Sequence, residues 1–324
     1  MSRVPEFAVR LFLHWLNERY RRAYVPAPSN GGLWQATDTE AGPITIATSL
    51  LYEGDEAWRS RCAEIEQRLD GARPGSYLLW QPKGGALPEG EPEESEWVRR
   101  VVLTASKLAS GRSGEVRLPV RLGLGKVRDE GGYASVTGGL GRHWPDISQR
   151  LQGSFYLDSR GLNRFTTGAE ERTRLFDHIG MLSQGLSTGD FVEFEHEDAW
   201  SLQRLARGPA AGGLEDGWAI AGCPPGFDPN DGGAVRRLLR RSLSNAAESL
   251  RGVSSTTRVL VLMGAYDYME NENAGPSLRG FDPALAAGFD LIALVADAEV
   301  KPIRLARGLP FARELSQGNT TAEP

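Results

Sequence analysis

The stretch 190-DFVEFEHED-198 places Asp190, Glu193, Glu195, His196, Glu197 and Asp198 within nine residues. Its alternation of apolar and charged positions predicts a strand. Successive strand side chains point to opposite faces, so Glu193, Glu195 and Glu197 share one face and Phe194, His196 and Asp198 the other. Carboxylates on one face suit hard cations such as Mg²⁺ or Mn²⁺. Asp190, Glu193 and Glu195 are therefore the candidate metal ligands, and the chemistry they would serve is metal-dependent phosphodiester hydrolysis. The competing reading is a solvated strand face, or an acidic edge that resists pairing with other chains.

Two further carboxylates, Asp267 and Asp297, end the apolar runs 258-RVLVLMGAY-266 and 290-DLIALVAD-297. Parallel strands would bring both to the carboxyl edge of a sheet, where open α/β sheets bind ligands. Asp also favours the turns that end strands. Arg236, Arg237, Arg240 and Arg241 line one side of 234-AVRRLLRRSLSNAAESL-250 and could contact phosphates. The alternative is the solvated side of an amphipathic helix. The glycine runs 122-LGLGK-126 and 138-GGLG-141 lack the GxxxxGK[S/T] spacing and the strand-to-helix setting of a phosphate cradle. Neither HExxH nor GxSxG is present, so zinc-protease and serine-hydrolase chemistry is not expected. No cofactor is expected beyond Mg²⁺ or Mn²⁺ under the hydrolase reading.

Several elements must position these residues. The 324 residues suffice for one large domain or two ordinary ones, and 40% apolar with 24% charged residues predicts a packed core. The formal net charge of −5 argues against a general nucleic-acid coat, which needs a broad basic field. Basic residues are nearly all Arg, with only four Lys, as a GC-rich genome would produce. Cys62 and Cys223 form no metal or disulfide framework, and a reducing compartment fits. Charges interrupt the N-terminal apolar run, so neither a signal peptide nor a membrane span is expected, and the expected location is cytoplasmic.

Along the chain, 5–24 reads as a helix, with Phe7, Leu11 and Trp15 beside Phe12, Leu16 and Tyr20. It breaks at 26-PAPSNGG-32. The strands 33–38 and 43–52 have hairpin spacing. A helix opens near Asp55 and carries Trp58, Cys62, Ile65 and Leu69, followed by a buried strand at 76–81. The acidic, Pro/Gly-rich text of 83–96 reads as a linker into a helix bearing Trp97 and Val101. The middle predicts a hairpin over 115–139, a strand at 155–158 and a helix at 170–184. Val235, Leu238, Leu239, Leu243, Ala246 and Leu250 form the inward stripe of the helix at 234–250. The runs 258–266 and 290–296 predict strands covered on both faces. The fold class is α/β, mixed sheets flanked by helices with a hairpin-rich middle. Two lobes are expected, 1–110 and 111–324, with a disordered tail at 315–324.

The order αββαβ over the first eighty residues resembles the core of restriction-endonuclease-like nucleases. That family places an Asp at the end of one strand and Glu-x-Lys, or a variant, on the next. On this sequence the first acid falls on Asp38, the Glu position on Ala47 and the Lys position on Ser49, with Glu40 and Glu53 flanking the strand. The resemblance implies a nuclease-like lobe stripped of its catalytic residues. It leads to the expectation of a non-catalytic scaffold or nucleic-acid-associated protein. The alternatives are the metal-dependent hydrolase above and a protein–protein interaction module without a ligand. The partners expected are a nucleic acid or a protein, and no membrane.

Overall fold

A computed structural model describes residues 2–30, 32–162, 168–207, 216–224, 226–227, 232–253, 257–264 and 283–312. Asp267 and the tail 315–324 lie outside the described residues. In chain order the elements are α1 (Val4–Tyr20), β1 (Val25–Asn30), β2 (Leu33–Asp38), β3 (Gly42–Leu50), α2 (Glu56–Ala72) and β4 (Ser76–Gln81). Next come α3 (Glu93–Lys107), β5 (Ser113–Arg128), β6 (Gly132–Gly138), α4 (Trp144–Ser148), β7 (Gly153–Ser159) and α5 (Ala169–Gln184). The last are β8 (Phe191–Arg204), β9 (Gly217–Gly222), α6 (Gly232–Ser249), β10 (Thr257–Met263), α7 (Pro283–Ala286), β11 (Leu291–Ala296) and β12 (Glu299–Leu305). The fold is mixed α/β. It has two six-stranded sheets, ordered β1-β2-β3-β10-β11-β12 and β6-β7-β5-β8-β4-β9. No described helix is long and apolar enough to cross a membrane.

The chain divides into two compact units that do not follow chain order. Unit 1 is Met1–Trp80, Val102–Gly114 and Ser201–Pro324; unit 2 is Gln81–Val101 and Glu115–Trp200. This differs from the expected division near residue 110. The reason is the pairing of β3 with β10, parallel from Ile44↔Thr257 to Leu50↔Met263, which joins the two ends of the chain in one sheet. β10 in turn pairs in parallel with β11. β10 and β11 thus share the sheet of the N-terminal hairpin, not a separate C-terminal lobe.

In unit 1, β10 and β11 are buried at every position from Val259 to Met263 and from Leu291 to Ala296. Such strands need cover on both faces. The stripe of α6 supplies part of it: Val235, Leu238, Leu239, Leu243, Ala246 and Leu250 are all buried, as the periodicity predicts. So are Phe7, Leu11, Phe12, Leu16 and Tyr20 of α1. Within the break expected at 26–32, Val25–Asn30 forms strand β1, antiparallel to β2, and its position at the sheet edge tolerates Pro26.

The outer strand β9 is held by side chains. Cys62, Glu66 and Asp70 recur every four residues along one side of α2. Asp70 accepts the Trp218 N–H at 2.8 Å, and Glu66 accepts the Ile220 N–H at 2.8 Å. The Gly222 backbone is hydrogen-bonded to the Tyr52 hydroxyl. Arg3 bonds both Asp70, at 2.6 Å, and the Trp218 carbonyl, at 3.2 Å. Burial pushes the Glu66 carboxyl up to about 7, against the pull of the Ile220 N–H and Arg3.

In unit 2 the sequence predicts a hairpin from 115 to 139, and the structure corrects it. β7 lies between β5 and β6, antiparallel to β5 (Gly123↔Asp158) and parallel to β6 (Val136↔Leu157). Phe155 and Leu157 are buried on β7, and a direct β5–β6 pair would leave that central apolar strand uncovered. Their core includes Leu122, Leu124, Ile147, Phe176 and Ile179. The backbone also comes together tightly at two glycines. A Cβ on Gly84 would stand 2.3 Å from the Gly161 Cα.

Two outcomes test this account. Replacing Gly84 by Ala forces backbone apart and should cost about 1–3 kcal/mol in urea unfolding; an unchanged midpoint would contradict the close approach. Glu66 binds its proton more tightly folded than unfolded. Its contribution is therefore complete below about pH 4.5 and lost as pH rises through about 7. His143 and His196, whose pKa values burial lowers, have the opposite slope. The comparison with Glu66→Gln isolates the carboxyl. Between pH 5 and 8 wild type should lose up to about 3 kcal/mol relative to that variant, and parallel profiles would refute the assignment.

Candidate functional site

The nuclease-like positions all serve the architecture of unit 1. Asp38 ends β2, is buried, and accepts N–H bonds from Ala23 at 2.8 Å, Glu40 at 2.9 Å and Ala41 at 2.8 Å. Burial works against its charge, but these three bonds and Arg22 outweigh it and hold its pKa below the usual carboxylate range. Ala47 is buried in the β3–β10 ladder opposite Leu260. The Ser49 hydroxyl is 2.8 Å from that of Ser242 on α6. The small side chains of β3 thus admit α6. Glu40 pairs with Arg22 at 2.8 Å, and Glu53 pairs with Arg241.

The arginine stripe of α6 is divided in its use. Arg241 is taken by Glu53 and Arg236 is half-buried, leaving Arg237 and Arg240 on the exposed side. Asp297 has φ 47° and Ala298 φ 68°; together they form the two-residue turn between Ala296 and Glu299 of the β11–β12 hairpin. Left-handed backbone at both central positions is what such a turn requires, and Asp tolerates it. The glycines of 122-LGLGK-126 also have a packing role. A Cβ on Gly123 would stand 2.5 Å from the Phe191 ring, and one on Gly125 3.3 Å from it.

The acidic strand divides as its alternation predicts. Glu193, Glu195 and Glu197 are exposed, Phe194 and Asp198 are buried and His196 is half-buried. Asp190 stands apart in the turn before β8, where its carboxylate accepts the Ser187 N–H at 2.8 Å. Among the described residues no three His, Cys, Asp or Glu side chains are grouped to hold a metal ion.

Glu195 belongs instead to a cleft of about 690 Å³ within unit 2. Its walls come from β8, the start of α3, the segment before it and β5. Glu195 and Glu197 meet Glu89, Glu93 and Glu96 there, with Arg100 and Arg121 as the cations. Arg100 bonds Glu96 at 2.9 Å and also Glu197. Glu96 further accepts two bonds from Arg99 at 2.7 Å, and hydrogen bonds from Arg99 and then Arg100 hold it at about 2. Arg121 lies 3.8 Å from Glu89. Burial lowers the pKa of His196, so its ring is neutral at pH 7. Leu87, Trp97, Leu118 and Pro119 supply apolar surface.

Sequence reading missed this cleft because 83–96 looks like a linker. The available signal was the spacing of Glu93, Glu96 and Arg100, which puts all three along one side of a helix. Comparison with known proteins returns no family model, no curated protein and no solved structure that matches the chain.

Proposed function

We propose that the chain is a non-catalytic scaffold whose unit 1 keeps a nuclease-like element order without the nuclease's chemistry. The observation that carries this reading is the use made of Asp38, whose carboxylate is occupied by three backbone N–H groups. The other two positions agree with it. Ala47 has no polar atom on its side chain, and Ser49 is spent on Ser242. The resemblance extends to element order along the chain only, because β4 lies in the other sheet and β10 is the strand that pairs with β3. A carboxylate fixed in this way holds the turn after β2 and has little freedom to coordinate Mg²⁺.

Asp38→Ala leaves three N–H groups to find new partners and should cost about 2 kcal/mol in thermal or urea unfolding. Millimolar Mg²⁺ or Mn²⁺ should leave the melting temperature of the wild-type chain unchanged. A metal-induced rise that Asp38→Ala or Glu195→Ala removes would overturn the scaffold reading in favour of a hydrolase.

A further inference from the structure

We propose that the cleft of unit 2 is a docking site for a basic peptide segment, with an arginine of the partner received by Glu93 and Glu195. Charge balance is the first ground. Five carboxylates line the cleft against the guanidiniums of Arg100 and Arg121, and Arg99, bonded to Glu96, adds a third cation beside it. Arg100 is shared by Glu96 and Glu197, and Arg121 is nearest Glu89. The Glu93 and Glu195 carboxylates make no hydrogen bond or ion pair with any described residue. The local balance is therefore negative, and the uncompensated part of it falls on those two side chains.

The second ground is the chemistry already present. A guanidinium of the chain itself, that of Arg100, sits between two of the five carboxylates. Arginine suits such a place because its planar fork can donate to two carboxylates at once, whereas an ammonium acts as a point charge. The third ground is size and surface. At about 690 Å³ the cleft falls within the range of ligand sites, roughly 300–1,000 Å³, and is far larger than a bare ion needs. Leu87, Leu118 and Pro119 give apolar surface for the partner's aliphatic carbons. No three carboxylates are grouped for a metal ion, and a nucleic acid would be repelled by this charge. A peptide carrying both arginines and apolar residues matches both parts of the lining.

The test uses the full chain and a fluorescein-labelled nine-residue peptide of alternating Arg and Leu, read by fluorescence anisotropy at 50 mM NaCl. Saturable binding is expected. It should weaken about tenfold or more when citrulline replaces arginine, and by a similar factor in the Glu93→Gln/Glu195→Gln double variant. Glu195→Lys, which supplies a cation from the chain, should weaken it as well. Both variants should keep the wild-type melting temperature, because neither side chain has a partner to lose. Absence of binding up to 1 mM peptide would overturn the proposal. So would equal binding of the citrulline peptide, or affinity unchanged in the double variant. Full competition by stoichiometric spermidine would overturn the peptide assignment in favour of a small polycation.

Discussion

The parallel pairing of β3 with β10 is the constraint on which the rest of the architecture depends. Ile44 faces Thr257 and Leu50 faces Met263 along an unbroken register. All of unit 2 lies in sequence between these two strands. Closing so long a connection costs less than intuition suggests, because loop-closure entropy grows only logarithmically, by about 0.6 kcal/mol per doubling of length. Burying Ile44, Ile46 and Ala47 of β3 with Val259 to Met263 of β10 offsets it. The cost falls instead on rate, since contacts between distant segments form late. A whole second unit can therefore occupy the connection without weakening the sheet that closes it.

Small residues on β3 are the local counterpart of that closure. A glutamate at Ala47 would place a carboxylate in the buried ladder beside Leu260, and a lysine at Ser49 would displace the contact with Ser242. Small side chains at these positions leave room for α6 against β3. Asp38 illustrates the same competition from the other side. It is an acid, but the hydrogen bonds it accepts come from backbone N–H groups, those of Glu40 and Ala41 in its own turn and that of Ala23 in the loop after α1.

Much of the secondary structure was legible because it rests on local periodicity. The stripe Val235 to Leu250, the double line of Phe7 to Tyr20 and the continuous runs of β10 and β11 each announce their burial. Pairing was less legible. Nothing local in 129-DEGG-132 says that β7 will enter between β5 and β6, because the preference lies in the burial of Phe155 and Leu157. β1 was hidden by its prolines, which an edge strand tolerates. The acidic strand was read correctly in its alternation but not in its company. Glu195 shares its cleft with Glu93 and Arg100, about a hundred positions away on α3, the first of them in text whose Pro and Gly content suggests a linker.

The side-chain capping of β9 has a consequence for association. An outer strand ordinarily offers alternate N–H and C=O groups to any chain that can lie alongside it. Here Asp70, Glu66 and Tyr52 already occupy the outward donors of Trp218, Ile220 and Gly222. Arg3 takes the Trp218 carbonyl. A strand so occupied is no template. At this border side chains take three backbone donors and one carbonyl, without the bulge, proline or lysine that more often discourages growth.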